Sequence, residues 1–459
     1  MKLLNVLLVA YSFPPAGGVG VLRAASLARY FPGERIQLDV LTTRNASSVG
    51  ADAALLNEIS AEVRVHRTVT LDVPFTIKKR IKAFITGRNS SQSAASINSA
   101  GKSSFLKRIL QDILLPDPQV TWLPMLARTA RKIIKARGID LVLITVPPFS
   151  SALLVERLRK EFPHLPIVID FRDEWLSTTI DLVSFSHSKR AQKIARSTEA
   201  SAVKNATAVV AVTESARHEI RARYSLEPDS KFHMIPNGFD ATRPRAPVFP
   251  ARNRENGAAY KILVTYVGTI YGSTDPTWLI QALQGLPSEL KSRFKFRFIG
   301  HIEEPRFRDA LLELGDMVEL MGFMPQSEAL AAIDKTDYAL LITHDPLNVA
   351  AKLYDYIGAG KPILATVHPG GEVRRLLEEL RAGWWVDSRD TEAIRQLFID
   401  TATEANSRLA SYRADLAKIA QYERKILAQR YAGLLHWIAE DPGEDDRLTY
   451  AGQISGTGE

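Results

Sequence analysis

Residues 348–364 read NVAAKLYDYIGAGKPIL, and the rest of the chain can be arranged around them. Ala350, Leu353 and Ile357 recur at i, i+3 and i+7, the spacing of one helical face. Gly358 and Gly360 supply a C-terminal break and Pro362 forbids the helix to continue, so the segment reads as a helix running into a buried strand. Lys352 and Asp355 then stand near the two ends of the first turn, where both can face a cleft. A helix start offers unpaired N–H groups and partial positive charge, which suits a diphosphate. A carboxylate one turn further suits the two hydroxyls of a ribose. An ordinary βαβ helix with surface charges meets the same spacing.

At 459 residues the chain exceeds one comfortable core, which predicts two domains of about 200 residues each. Its 46% hydrophobic and 24% charged residues are an ordinary globular composition. No apolar run reaches the roughly 18 residues of a membrane span. The opening MKLLNVLLVAY lacks a small-residue cleavage site and leads into Pro14, Pro15 and glycines, so it reads as a first strand rather than a signal peptide. Without cysteine there are no disulfides and no thiolate metal sites. A net charge of +8 points to an anionic partner: a membrane surface, nucleic acid or a phosphorylated substrate. No nucleic-acid recognition motif accompanies the charge.

Strand 5–10 is followed by YSFPPAGGVG and a helical run. There Gly17, Gly18 and Gly20 either let a ligand approach a helix start or simply make a turn. The run does not match the dinucleotide fingerprint GxGxxG. Residues 36–41 and 63–66 read as further strands. Residues 74–117 interrupt the alternation with basic, amphipathic segments on either side of a Ser-rich stretch, 89–104. Such spacing suits the face of an anionic bilayer or a solvated helical lid. A helix over 122–137 leads to strand 139–145 and VPPFS, and strand 166–170 runs into DFRDEW. Charges at a strand end are costly for packing alone. Arg172 and Asp173 could therefore hold a polar acceptor or assist proton transfer from its hydroxyl, unless an Asp–Arg pair merely caps the loop. Strand 206–213 and the turn NGFD, with Asp240, close the first half.

Residues 241–258 have prolines and arginines without periodicity, the mark of a linker. Beyond it strands are predicted at 261–267, 294–299, 317–320, 338–342 and 362–366. Alternation of strand and helix on both sides of a linker predicts an α/β chain of two Rossmann-like doubly wound domains facing across a cleft. Gly268 and Thr269 follow the first of these strands and leave room for a phosphate or sugar. His344 and Asp345 end another; His344 reads as a donor to sugar or phosphate, or as structural. Helices are predicted at 391–401 and 414–437, before an acidic tail expected to be disordered. No His/Asp/Glu spacing makes a convincing metal site.

KLYDYIGAGKPIL, together with LLPD, PPFS and DFRDEW, resembles family 4 glycosyltransferases, retaining enzymes of the GT-B fold, in a branch acting in surface-polysaccharide synthesis. The resemblance implies Asp355 on the nucleotide ribose and Lys352, with the amides of Leu353 and Tyr354, at the donor diphosphate. It places Phe323 and Met324 at the base and the glycine loop facing donor phosphates and acceptor. It makes Asp173 the first acceptor-side or catalytic residue and implies no cofactor and no required metal. The departures are Leu347 where the family often has a second glutamate, and the lack of an Arg–Lys pair after Gly268. The implied domains are residues 1–240 (acceptor side, insertion 74–117), linker 241–258, residues 259–415 (donor side), a helix 416–440 crossing back, and tail 441–459. The implied partners are a UDP- or GDP-sugar, a glycan or lipid-linked acceptor and an anionic membrane surface at the cytoplasmic face. A nucleotide-sugar 2-epimerase of the same fold, and a membrane-associated scaffold with a degenerate nucleotide site, are the alternatives.

Overall fold

A computed structural model describes residues 2–45, 52, 54–70, 114–177, 189–240 and 261–440. The basic insertion up to residue 113, the linker and the acidic tail lie outside the described residues. The chain divides into two compact units. The first takes the chain to Ile235 and resumes at Ala428; the second runs Pro236–Leu427.

The first unit holds a seven-stranded, wholly parallel sheet of order β3-β2-β1-β4-β5-β6-β7. Its strands are β1 (Leu4–Val9), β2 (Ile36–Thr43), β3 (Arg64–Thr68), β4 (Leu141–Val146), β5 (Ile167–Phe171), β6 (Ala208–Ala211) and β7 (Phe232–Met234). Every residue of β4, β5 and β6 is buried, because helices cover both faces of a parallel sheet, and those strands accordingly open on apolar runs, LVLI, IVI and AVVA, with Thr145 and Asp170 only toward the carboxyl ends. Leu7, Val9, Ile144 and Ile169 meet Trp122, Leu126 and Leu154 in the main core, while Val21, Leu22, Ala25 and Leu55 form a smaller one.

The second unit repeats the plan with six parallel strands in the order β10-β9-β8-β11-β12-β13. These are β8 (Ile262–Val267), β9 (Phe294–Ile299), β10 (Val318–Gly322), β11 (Tyr338–Thr343), β12 (Ile363–Val367) and β13 (Gly383–Asp387). Successive residues of β11 serve opposite cores: Leu340 and Ile342 pack with Phe296 and Phe398, Ala339 and Leu341 with Tyr356 and Ile357. At about 1.5–3 kcal/mol for each large apolar side chain buried, such two-sided strands hold the site's loops in place.

Three expectations need correction. β13, GWWVD, was not among the predicted strands; it is an edge strand whose residues are all half-buried, so no alternation marks it. Ala350, counted on the helical face, stands extended before the helix, which covers Ala351–Gly358. The single helix expected over 414–437 is two, Leu416–Ala420 and Arg424–Ala439. Between them the backbone leaves the helix to pair with Phe239, whose N–H donates to the Tyr422 carbonyl (3.1 Å) and whose carbonyl accepts from Arg424 (2.9 Å). Asp240 of the NGFD turn pairs with the Arg424 guanidinium. The second helix starts in one unit and has its residues from Ala428 on in the other.

Candidate functional site

Ligands of doubly wound sheets bind beyond the carboxyl ends of the strands flanking the reversal in strand order. In the second unit those strands are β8 and β11. Tyr266, 1% exposed in β8, donates its hydroxyl hydrogen to the Thr269 carbonyl (2.9 Å). Onto that hydroxyl Lys352 brings its Nζ at 2.5 Å, lying also 3.9 Å from the ring centroid. Among the described residues Lys352 has no carboxylate within ion-pair reach. Burial pushes its pKa down to about 7, because nothing anionic offsets the lost hydration.

Gly268 makes this arrangement possible. It takes φ +131°, and a Cβ there would stand 3.1 Å from the Lys352 Nζ. Gly300, after β9, takes φ +135°; a Cβ on it would come within 2.1 Å of the Gly268 carbonyl oxygen. The two strand ends thus pass backbone against backbone, and Gly268 lets the chain run close beside the Lys352 ammonium. The helix Ala351–Gly358 opens without a side-chain cap. Its Leu353 N–H returns to the Ala350 carbonyl (3.0 Å), and the Ala351 and Lys352 N–H groups have no partner among the described residues. Two amides at a helix start and one ammonium without a counter-ion among the described residues suit an anion of phosphate type.

The other expected donor-side residues fall unevenly around this point. Leu353 and Tyr354 are each 1% exposed and sit in the core, and the Leu353 amide is already used, so the Ala351 and Lys352 amides take the place expected of theirs. Asp355 is half-buried one turn into the helix. Thr269 turns its carbonyl inward to Tyr266 and to the Thr274 hydroxyl (3.2 Å). Phe323 is 59% exposed beyond β10 and stacks on His301, centroids 5.3 Å apart and planes 11° apart; Met324 beside it is half-buried. His344 does not offer a free donor: Nδ1 lies 2.7 Å from the Ser388 hydroxyl and Nε2 2.9 Å from the Asp275 carbonyl. Burial lowers its pKa, so a neutral ring joins β11 to the 272–276 loop. Asp345 accepts the N–H groups of Leu347 (2.8 Å) and Asn348 (3.1 Å), shaping the approach to the helix.

In the first unit the reversal lies between β1 and β4. Gly17 precedes Gly18, the N-terminal flank of the helix Val19–Tyr30, and Gly20 lies in its first turn. Arg172 is not directed to a ligand: it donates to the carbonyls of Gly20, Pro147 (2.5 Å) and Val146 (3.4 Å), stapling the glycine loop to the PPFS corner. Asp170 is fully buried in a bidentate pair with Arg23 (2.9 and 2.8 Å). Glu174 and Glu199, both buried, share Arg223. Burial, outweighing Arg223 and reinforced by Glu174, raises the Glu199 pKa to about 7. Trp175 stacks on Phe149 at 4.2 Å, and Asp117 of LLPD accepts the Ser150 N–H at 2.8 Å. Asp170, Arg172 and Glu174 of DFRDEW thus have internal partners, and Asp173 is half-buried just beyond the carboxyl end of β5, beside the Arg172 guanidinium whose charge it favours.

Tyr266, His301 and Gly300 were not singled out in sequence. An aromatic two residues before a strand-end glycine was the available signal for Tyr266; the other two follow from register alone. Among the described residues no group of three or more His, Asp or Glu side chains is disposed to hold a metal ion.

Two parallel doubly wound units of seven and six strands define the GT-B class of α/β enzymes. Two family models match: "Glycosyltransferase Family 4" over residues 98–243 and "Glycosyl transferases group 1" over 250–420. The chain belongs to the family 4 glycosyltransferases. It is 27% identical over 157 residues to "Probable glycosyltransferase WbjE" of Pseudomonas aeruginosa, covering 34% of this chain and 36% of that protein. It is 28% identical over 155 residues to a protein named as a colanic acid biosynthesis glycosyltransferase, WcaL of Salmonella typhimurium, covering 32% and 38%. The match thus spans little more than a third of the length of these curated relatives. Among solved structures, Anabaena HepE in complex with UDP-glucose superposes with TM-score 0.58 at 15% identity, covering 94% of this chain and 99% of that one.

Proposed function

We propose that the chain transfers a sugar from a nucleotide-sugar to an acceptor hydroxyl, with retention, in the assembly of a cell-surface polysaccharide or lipid-linked glycan. The observation that carries the reading is the unneutralised Lys352 ammonium beside two unpaired helix-start amides at the β8/β11 reversal. As the glycosidic bond stretches, negative charge grows on the departing diphosphate, and donors already fixed there lower the barrier without first reorganising. Lys352 and the Ala351 and Lys352 amides meet that charge, so no metal is required. Asp355 takes the ribose hydroxyls, and the exposed Phe323 with His301 offers the base a flat aromatic contact. HepE was solved with UDP-glucose, which supports uridine as the base here.

On the acceptor side Asp173 is the residue for the acceptor hydroxyl, and Arg172 acts as a positioning residue through the glycine loop. No described helix is long and apolar enough to cross a membrane. The basic, amphipathic residues 74–117 suit peripheral contact with an anionic bilayer at its cytoplasmic face. Incubation with UDP-, GDP- and ADP-sugars tests the reading. Slow hydrolysis of one donor, undiminished by EDTA, is expected; conversion to an epimer means an epimerase, and no nucleotide binding means a scaffold. Asp355→Ala should weaken nucleotide binding at least about tenfold, about 1.4 kcal/mol. Unchanged affinity would remove the ribose role.

A further inference from the structure

Arg44 and Arg67 stand at the carboxyl ends of β2 and β3. In the parallel register Thr42 pairs with Arg67 and Thr43 with Thr68, and the Arg44 N–H extends the ladder to the Thr68 carbonyl (2.7 Å). Alternation across a strand puts Thr42, Arg44 and Arg67 on one face of the sheet. The half-buried Arg67 guanidinium donates to two neutral groups, the carbonyls of Pro14 (2.5 Å) and Thr43 (3.5 Å). Pro14 belongs to the loop leaving β1, so the cation borders the first unit's reversal in strand order. Arg44 is exposed.

Among the described residues neither arginine has a carboxylate within ion-pair distance. Other arginines of this unit do: Arg23 has Asp170, Arg29 has Glu58, and Arg223 has two glutamates. Asp52, held by its N–H to the Pro15 carbonyl (2.7 Å), pairs with neither. Burial lowers the Arg67 pKa with nothing opposing it, yet a guanidinium stays charged at neutral pH. Two uncompensated guanidinium groups on one sheet face match a doubly charged, multi-oxygen anion better than they match a neutral sugar.

We propose that Arg44 and Arg67 bind a phosphoryl group carried by the acceptor. Calling that ligand the acceptor rests on the glycosyl-transfer reading; the cation pair itself does not. The test is calorimetric titration of the full chain, saturated with UDP, with inorganic pyrophosphate. UDP occupies the second unit's anion site, and its own binding is measured first. Wild type should bind pyrophosphate, while Arg44→Gln and Arg67→Gln each weaken it about tenfold with UDP affinity unchanged. Among the described residues Arg44 makes no side-chain bond, so its variant should melt as wild type does and separates binding from folding. Arg67→Lys, which keeps charge but not the fork, should recover only part of the loss.

Two further arms locate the source of the phosphate: glucose 1-phosphate in solution, and phosphatidylcholine vesicles with or without a polyprenyl diphosphate. Binding of either that is lost in Arg44→Gln supports the site and says whether a free sugar phosphate or a lipid headgroup fills it. Pyrophosphate binding that is absent, or equal in wild type and both Gln variants, overturns the proposal. Failure of UDP to bind would instead strike the donor reading, and the two arginine variants would still report on pyrophosphate.

Discussion

Lys352 links nucleotide binding to pH. Its ammonium is buried over Tyr266 without a counter-ion, and its pKa in the empty site is about 7. A diphosphate alongside favours the charged form, so binding should draw a proton onto Nζ. The folded pKa is depressed below that of free lysine, so the empty site holds mostly ammonium at pH 6 and mostly free amine at pH 8. If the bound pKa rises above 8, the Lys352 contribution to UDP affinity falls roughly tenfold between those pH values, about 1.4 kcal/mol. At pH 7 the binding event should take up about half a proton. The assay is isothermal titration of UDP in buffers of different ionisation enthalpy, for wild type, Lys352→Met and Lys352→Arg. UDP itself gains charge over this range, so the informative quantity is the wild-type to Met affinity ratio. That ratio should shrink as pH rises, and Arg, charged throughout, should hold its affinity. A pH-independent ratio with no proton uptake would refute the reasoning.

Three further outcomes follow from the same geometry. Gly268→Ala introduces a Cβ 3.1 Å from the Lys352 Nζ at φ +131°, and should cost about 1–3 kcal/mol of stability in urea unfolding together with most of the UDP affinity. Glu199, raised from 4.5 to about 7, gives stability fully present below pH 4.5 and lost as pH rises through 7, up to about 3 kcal/mol. Glu199→Gln should flatten that slope between pH 5 and pH 8.5, and equal slopes would exclude Glu199 as its source. Asp170→Ala strands Arg23 as a buried unpaired cation and should cost about 3–5 kcal/mol by denaturant midpoint, with loss under about 1 kcal/mol telling against the pair.

How far the chain could be read in advance depended on what kind of signal each feature left. The two doubly wound units were legible because buried parallel strands such as LVLITV and YALLIT carry four or five consecutive apolar residues between helical periods. The helix with Lys352 was legible because its end is written in Gly358, Gly360 and Pro362. β13 was not, since a half-buried edge strand has no pattern to find. Nor could sequence show that Tyr422–Arg424 would exchange hydrogen bonds with Phe239, a contact nearly two hundred positions away, and so split the last helix. Side-chain roles were the least legible. Arg172 and His344 have the chemistry of ligand-binding groups, but backbone carbonyls take their N–H groups and the Ser388 hydroxyl occupies the remaining His344 nitrogen. Arg23, the partner of Asp170, lies 147 positions away, where no local spacing could announce it.

The account stands on a sugar nucleotide being held by its diphosphate in the second unit, and a structure of the protein with UDP tests this directly. The β-phosphate should lie within hydrogen-bond distance of the Lys352 Nζ and of the Ala351 and Lys352 amides, with the ribose at Asp355. A nucleotide bound elsewhere, or a Lys352 still turned to Tyr266 with no phosphate oxygen beside it, would contradict the account.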